Sequence, residues 1–87
     1  MTIDEYMNEY HRIKFDFDFI ILPVVKYVNR EIGINELPSY LADIRNMDDA
    51  YMFISEHNSR IKDLEEFRLD NLFARLPSMG RFIVQFK

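Results

Sequence analysis

Asp16 and Asp18 stand two residues apart in the stretch Ile13–Leu22, which reads I-K-F-D-F-D-F-I-I-L. On an extended strand that spacing puts both carboxylates on one face, where a pair can act as acid and base or grip a hard cation. The alternation of the stretch supplies plainer roles as well: a solvated outer face, or charges that discourage uncontrolled strand pairing. The histidines are His11 and His57. Neither has a second histidine at helical ligand spacing. His57 falls in an apolar stripe, which assigns it to packing rather than to a metal site shared with Glu56, Asp63 or Glu66. Gly33 and Gly80 stand alone, so the sequence holds neither a phosphate loop nor a dinucleotide fingerprint. No serine has the G-x-S-x-G context of a nucleophile elbow. The absence of cysteine removes disulfides, thiolate zinc sites and cysteine nucleophiles together. The expectation is therefore a protein without catalytic residues, metal ligands or a cofactor.

Charge carries more information than motif. Residues 1–57 hold 11 acids and 5 bases, whereas residues 58–87 hold 4 acids and 6 bases. Between residues 36 and 56 the acids are Glu36, Asp43, Asp48, Asp49 and Glu56, against the single base Arg45. Asp48 and Asp49 suit a helix N-terminus, and Glu36 suits a cap. Asp43 and Glu56 have no such local role. A clustered acidic face docks on a basic groove, including one that otherwise holds nucleic acid. The basic counterpart is Arg75, Arg81 and Lys87, with Arg60, Lys62 and Arg68 before them. Direct nucleic-acid binding through that part is disfavoured by the overall charge of −4 and by Asp63, Glu65 and Glu66 among the bases. Eight Phe and five Tyr are a heavy load for 87 residues. The core can absorb the phenylalanines, but tyrosines keep a hydroxyl to satisfy and favour interfaces. Tyr40 and Tyr51 fall within the acidic segment, so the expected partner-binding residues are Glu36, Tyr40, Asp43, Asp48, Asp49, Tyr51 and Glu56.

The elements that must position these residues are read from periodicity. Thr2-Ile3-Asp4-Glu5 matches a capping box, and Ile3, Tyr6, Met7 and Tyr10 follow at helical spacing, which predicts a helix over 3–12. The alternation of Ile13, Phe15, Phe17, Phe19 and Ile21 predicts a strand over 13–21, with Phe17 in the core. Ile13, Phe17, Ile20, Val24 and Val28 also fit a helical stripe, and that alternative would make the domain an all-α bundle. Pro23 suits the first turn of a helix bearing Val24, Val25, Val28 and Ile32, with Gly33 past its C-terminus. A further helix is expected from Asn35 or Glu36 with Leu37, Tyr40, Leu41 and Ile44 inward. Ala50, Phe53, Ile54, His57, Ile61, Leu64 and Phe67 form one stripe, so a single long helix is expected there, with a kink or break near Arg68. Leu69, Leu72, Phe73 and Leu76 continue at a rotated angle. Pro77-Ser78-Met79-Gly80 reads as a turn, and 81–87 as a closing strand paired with 13–21.

Residues 1–87 thus read as one compact α+β domain, helix-dominated, with a small two-stranded antiparallel ribbon. No apolar run is long enough to span a bilayer, and the N-terminus lacks the features of a secretory signal, so a cytoplasmic setting is expected. The expected function is occupancy: an acidic protein-binding module that covers a protein with a basic surface, such as a nucleic-acid-binding enzyme. In size and charge the chain is similar to small inhibitors and antitoxin-like proteins of phages and mobile elements, including nucleic-acid mimics and anti-CRISPR proteins. No motif joins it to any of them. The rivals are nucleic-acid binding by the basic C-terminal part, and a structural subunit that self-associates as a homodimer.

Overall fold

The computed structural model describes residues 1–71, 73 and 75–86. The first helix opens as its capping box requires, with the Thr2 Oγ1 accepting the Glu5 N–H at 3.1 Å. This helix, α1, spans Ile3–Asp16 and does not stop at residue 12. It runs without a break through a π-helical turn, Phe17–Ile21, into α2, Leu22–Val28. The strand expected over 13–21 is therefore absent, and with it the ribbon; there is no strand among the described residues. The domain is helical, in agreement with the all-α alternative.

Two periodicities compete in this stretch, and the longer one wins. Tyr6, Tyr10, Ile13, Ile21, Val24 and Val28 are buried, and Phe17 is half-buried. Successive members of this series lie three or four residues apart, which is one helix face. Between Ile13 and Ile21 the series takes two steps of four in succession, slightly too long for a regular helix to keep in line. The π turn absorbs the surplus, and its wider ring closes where the Leu22 N–H reaches the Phe17 carbonyl. Alternation alone would have buried Phe15 and Phe19. The helix exposes both.

Pro23 adds a second reason for the widened turn. It has no N–H to give to the carbonyl of Phe19, four residues back, and its ring crowds that oxygen. The Tyr40 hydroxyl donates to the Phe19 carbonyl at 2.6 Å, which supplies the missing hydrogen bond from another part of the chain.

The α2 helix ends earlier than expected. The Glu31 N–H reaches the Lys26 carbonyl at 2.9 Å and the Arg30 N–H reaches Tyr27 at 3.0 Å, the two bonds of a Schellman cap. The residue in the left-handed conformation is Arg30, at φ 62°, and not Gly33. The helix expected from residue 35 is replaced by two short 3₁₀ turns, Ile34–Glu36 and Ser39–Leu41, because Pro38 forces extended backbone between them.

The long helix is present as one element. α3 spans Met47–Asp70, capped by Asn46, whose Oδ1 accepts the Asp49 N–H at 2.9 Å. Its expected break falls just after Arg68, at the helix end. Ala50, Ile54, His57, Ile61 and Leu64 are its buried stripe. α3 runs antiparallel to the α1–α2 helix, because Ile61 and Leu64 pack with Tyr6, Tyr10 and Ile13, while Ala50 and Ile54 pack with Val24 and Val28. The molecule is long and narrow, 43 × 25 × 17 Å.

The expected closing strand is instead a strap. It contains a 3₁₀ turn, Gly80–Phe82, and Met79 and Phe82 complete the core of Tyr6 and Tyr10. Its polar backbone is matched by side chains of α3 rather than by a partner strand. Asn58 takes both backbone groups of Val84, at 3.0 and 2.9 Å. Glu65 accepts the Met79 N–H at 2.6 Å, and His57 Nε2 donates to the Phe82 carbonyl at 2.9 Å. Leu72 and Lys87 lie outside the described residues.

Candidate protein-binding interface

Phe15, in the last turn of α1, and Phe19, in the π turn, both face outward, with ring centroids 4.7 Å from each other. They are 59% and 54% exposed, and Tyr40 is 63% exposed. Together with Ile20 these rings line a concavity of about 320 Å³. Tyr40 is fixed in this wall by the bond to the Phe19 carbonyl, so the residue that repairs the Pro23 gap also builds the site. Ile20 lines a second cleft too, of about 390 Å³, together with Asp16, Phe53, Glu56, His57 and Arg60. The two hollows therefore adjoin along the π turn.

Around the aromatic hollow the chain carries Lys14, Asp16, Asp18 and Lys26 along the first helix, and Glu36, Asp43 and Arg45 in the connection that bears Tyr40. In the adjoining cleft Arg60 is held between Asp16, at 3.6 Å, and Glu9, at 3.7 Å.

Of the seven residues expected to bind a partner, Tyr40, Glu56 and Tyr51 line three different hollows. Glu36 is turned to a local task, accepting the Gly33 N–H at 2.5 Å. Asp49 accepts the Arg45 N–H at 3.1 Å beside the start of α3. Asp43 and Asp48 are exposed. Tyr51 and Glu56 project from opposite flanks of α3. Tyr51 packs edge-on against Phe86 at 5.3 Å, and Glu56 lines the cleft next to the aromatic hollow. Tyr40 and Glu56 are thus the members that the structure brings to the hollow and its cleft. Sequence reasoning places Phe15 and Phe19 in the core and so misses them as surface residues. Their signal is that they fall outside the three-and-four spacing that joins Tyr6 to Val28.

Of the two histidines, only His57 is packed in the core. His57 is buried, its ring lies over Phe17, and burial holds its pKa below the usual histidine value despite the bond to Phe82. The acceptor there is a carbonyl, so the neutral ring carries its proton on Nε2. His11 is exposed beside the edge of Tyr10. No three His, Asp or Glu side chains converge as metal ligands among the described residues. Of the basic residues, Arg68 contacts Glu65 at 3.3 Å and the Leu76 carbonyl at 3.2 Å. Arg81 bonds the Tyr10 hydroxyl and lies over the Tyr10 and Phe82 rings.

The densest polar cluster sits at the other end of the molecule. Besides Met79, Glu65 accepts from Ser78 at 2.8 Å and from Tyr6 at 3.4 Å, and Tyr6 also donates to the Pro77 carbonyl at 2.7 Å. Burial disfavours the Glu65 charge, but the Met79, Ser78 and Arg68 contacts outweigh it and hold the carboxyl below its usual range. Burial and the Glu65 charge push the Tyr6 hydroxyl up to about 12. This cluster binds the strap.

No family model, curated protein or solved structure matches this chain. No helix among the described residues is long and apolar enough to cross a membrane.

Proposed function

We propose that the chain is a protein-binding module that acts by occupancy, covering a partner with a basic surface, in the manner of a small inhibitor or antitoxin-like protein. The observation that supports this is the exposed aromatic hollow of Phe15, Phe19 and Tyr40, in the part of the chain, residues 1–57, that holds 11 acids against 5 bases. Exposed rings on a fixed helix face offer large contact area at little entropic cost, which is what an interface anchor needs. The acids steer a basic partner to it and repel an acidic one. For nucleic-acid binding the basic set offers less, since Arg60, Arg68 and Arg81 are engaged with the chain's own groups, which leaves the exposed Lys62 and Arg75.

The test is capture with the immobilised chain and with a Phe15→Ser/Phe19→Ser variant of equal helicity. A partner with a basic surface should be retained by the wild type and lost by the variant. Its capture should weaken as salt rises, because screening shortens to about 8 Å at physiological ionic strength. Equal capture by both proteins would place the interface elsewhere.

A further inference from the structure

We infer that the cleft lined by Asp16, Glu56, His57 and Arg60 binds a primary alkylammonium group. The inference concerns the cleft of about 390 Å³ beside the aromatic hollow, and it holds whether or not that hollow is an interface. His57 is 9% exposed and uses only half of its ring within the chain. Nε2 donates to the Phe82 carbonyl, so the other nitrogen, Nδ1, carries a lone pair and can only accept. Nδ1 bonds nothing in the chain yet is reached by solvent, and the hollow that His57 lines is this cleft. An acceptor on a buried ring, left open in this way, calls for a donor from outside the chain. The charges of the lining select a cationic one. Asp16 and Glu56 are acids, and the one base, Arg60, is already held by Glu9 and Asp16. Glu56 is exposed and has no partner among the described residues. The groups left unmet are thus His57 Nδ1 and the Glu56 carboxylate, both acceptors. Ile20, Ile21 and Phe53 supply the apolar remainder of the lining, which suits an alkyl chain. An ammonium carries three N–H donors and no acceptor, and its charge is the one the lining is short of. A metal ion is the poorer occupant, because no three His, Asp or Glu side chains converge as ligands among the described residues. The ammonium can come from a lysine of a partner or from a free aliphatic amine.

The experiment uses the whole chain with nitrogen-labelled histidine, at about pH 8, where a primary amine is charged and His57 is neutral. The Nδ1 resonance of His57 reports a hydrogen bond accepted at that atom, and the exposed His11 is the internal control. The probes are n-butylamine, n-butanol and butyltrimethylammonium. Butylamine should move the Nδ1 signal and bind about tenfold more tightly than butanol, which lacks the charge, and than butyltrimethylammonium, which lacks N–H donors. Glu56→Gln, an exposed change that leaves the buried stripe of α3 untouched, should weaken butylamine about tenfold and leave butanol unchanged. Arg60→Gln should tighten butylamine, because it removes the competing cation and releases Asp16. A blocked lysine that binds as tightly as butylamine assigns the ammonium to a partner's lysine, whereas butylamine binding alone assigns it to a free amine. Butanol equal to butylamine, indifference to Glu56→Gln, or an Nδ1 signal that stays still up to the solubility of every probe would overturn the inference.

Discussion

The two ends of the helical hairpin are closed by different chemistry. At one end Val24, Val28, Leu41, Ile44, Ala50 and Ile54 form an all-apolar cluster. At the other, Tyr6 and Tyr10 bring hydroxyls into the core, and the strap is bolted down by Glu65, His57 and Asn58. The first end is held by area removed from water and has no titratable group in its core. The second end depends on hydrogen bonds whose donors and acceptors titrate. Stability of the aliphatic end should therefore be indifferent to pH, and that of the strap end should not.

The largest expected effect is at the aliphatic end. Ile54 is fully buried, and Ile54→Ala should cost about 4 kcal/mol at pH 7 in denaturant melts, with a penalty that stays the same at pH 4. Glu65→Ala should cost about 3 kcal/mol, since it strips acceptors from Met79, Ser78 and Tyr6 and a counter-charge from Arg68. Unlike the Ile54 penalty, this one should shrink at acid pH. If both variants respond alike to pH, the contrast between the ends is wrong.

The pH profile of the wild type follows from three shifts, all at the strap end. His57 is held below its ordinary 6.5, so its neutral form contributes stability that is complete above that value and lost as pH falls below it. Glu65 is held below its ordinary 4.5, so its contribution is complete above 4.5 and lost at lower pH. Tyr6 is raised from 10.0 to about 12, so its contribution is complete below 10 and lost as pH climbs toward 12. Melting temperature should be flat between these limits and fall on both sides. On the acid side, amide exchange should quicken first at 79–84. A loss that begins at Val24 and Val28 would contradict the assignment.

Tyr6→Phe should cost about 1.5 kcal/mol and remove the alkaline limb, because the phenol then no longer titrates. The smallest effect is a gain. Arg30 sits at φ 62°, where a side chain is disfavoured by about 1 kcal/mol, so Arg30→Gly should raise stability by about 0.5 kcal/mol after the greater freedom of the unfolded glycine is counted. A loss instead would mean that the Arg30 side chain contributes more than its strain costs.

Much of the helical layout was legible because the sequence states it redundantly. The Thr2 cap, the Asp48 start and the continuous stripe from Ala50 to Leu64 all agree, and α3 and the first turn of α1 formed as read. Ile13–Ile21 was illegible because it satisfies two periods at once. What decides between them is the longer series from Tyr6 to Val28, which continues on both sides of the stretch, with Tyr40 supplying the bond that Pro23 cannot give to the Phe19 carbonyl. The strap misled for a related reason. Phe82, Val84 and Phe86 alternate as a strand does, but Asn58 supplies the bonds a neighbouring strand would have made. The hollow was visible only through Tyr40, and the adjoining cleft through Glu56; the two phenylalanines were hidden by the strand reading.

The Tyr6 hydroxyl and the Pro77 carbonyl are 71 residues apart along the chain. Helix α3 can coil by itself in microseconds, but this contact joins the strap to the far end of the chain and can exist only after α1 and α3 have paired, so local structure cannot form it early. We expect docking of the strap to be the slow step of folding and its departure the first step of unfolding. A chain cut before residue 77 should then collapse quickly into a helical state with a loose, dye-binding core, and addition of the missing peptide in trans should restore sharp tyrosine signals at a rate set by peptide concentration.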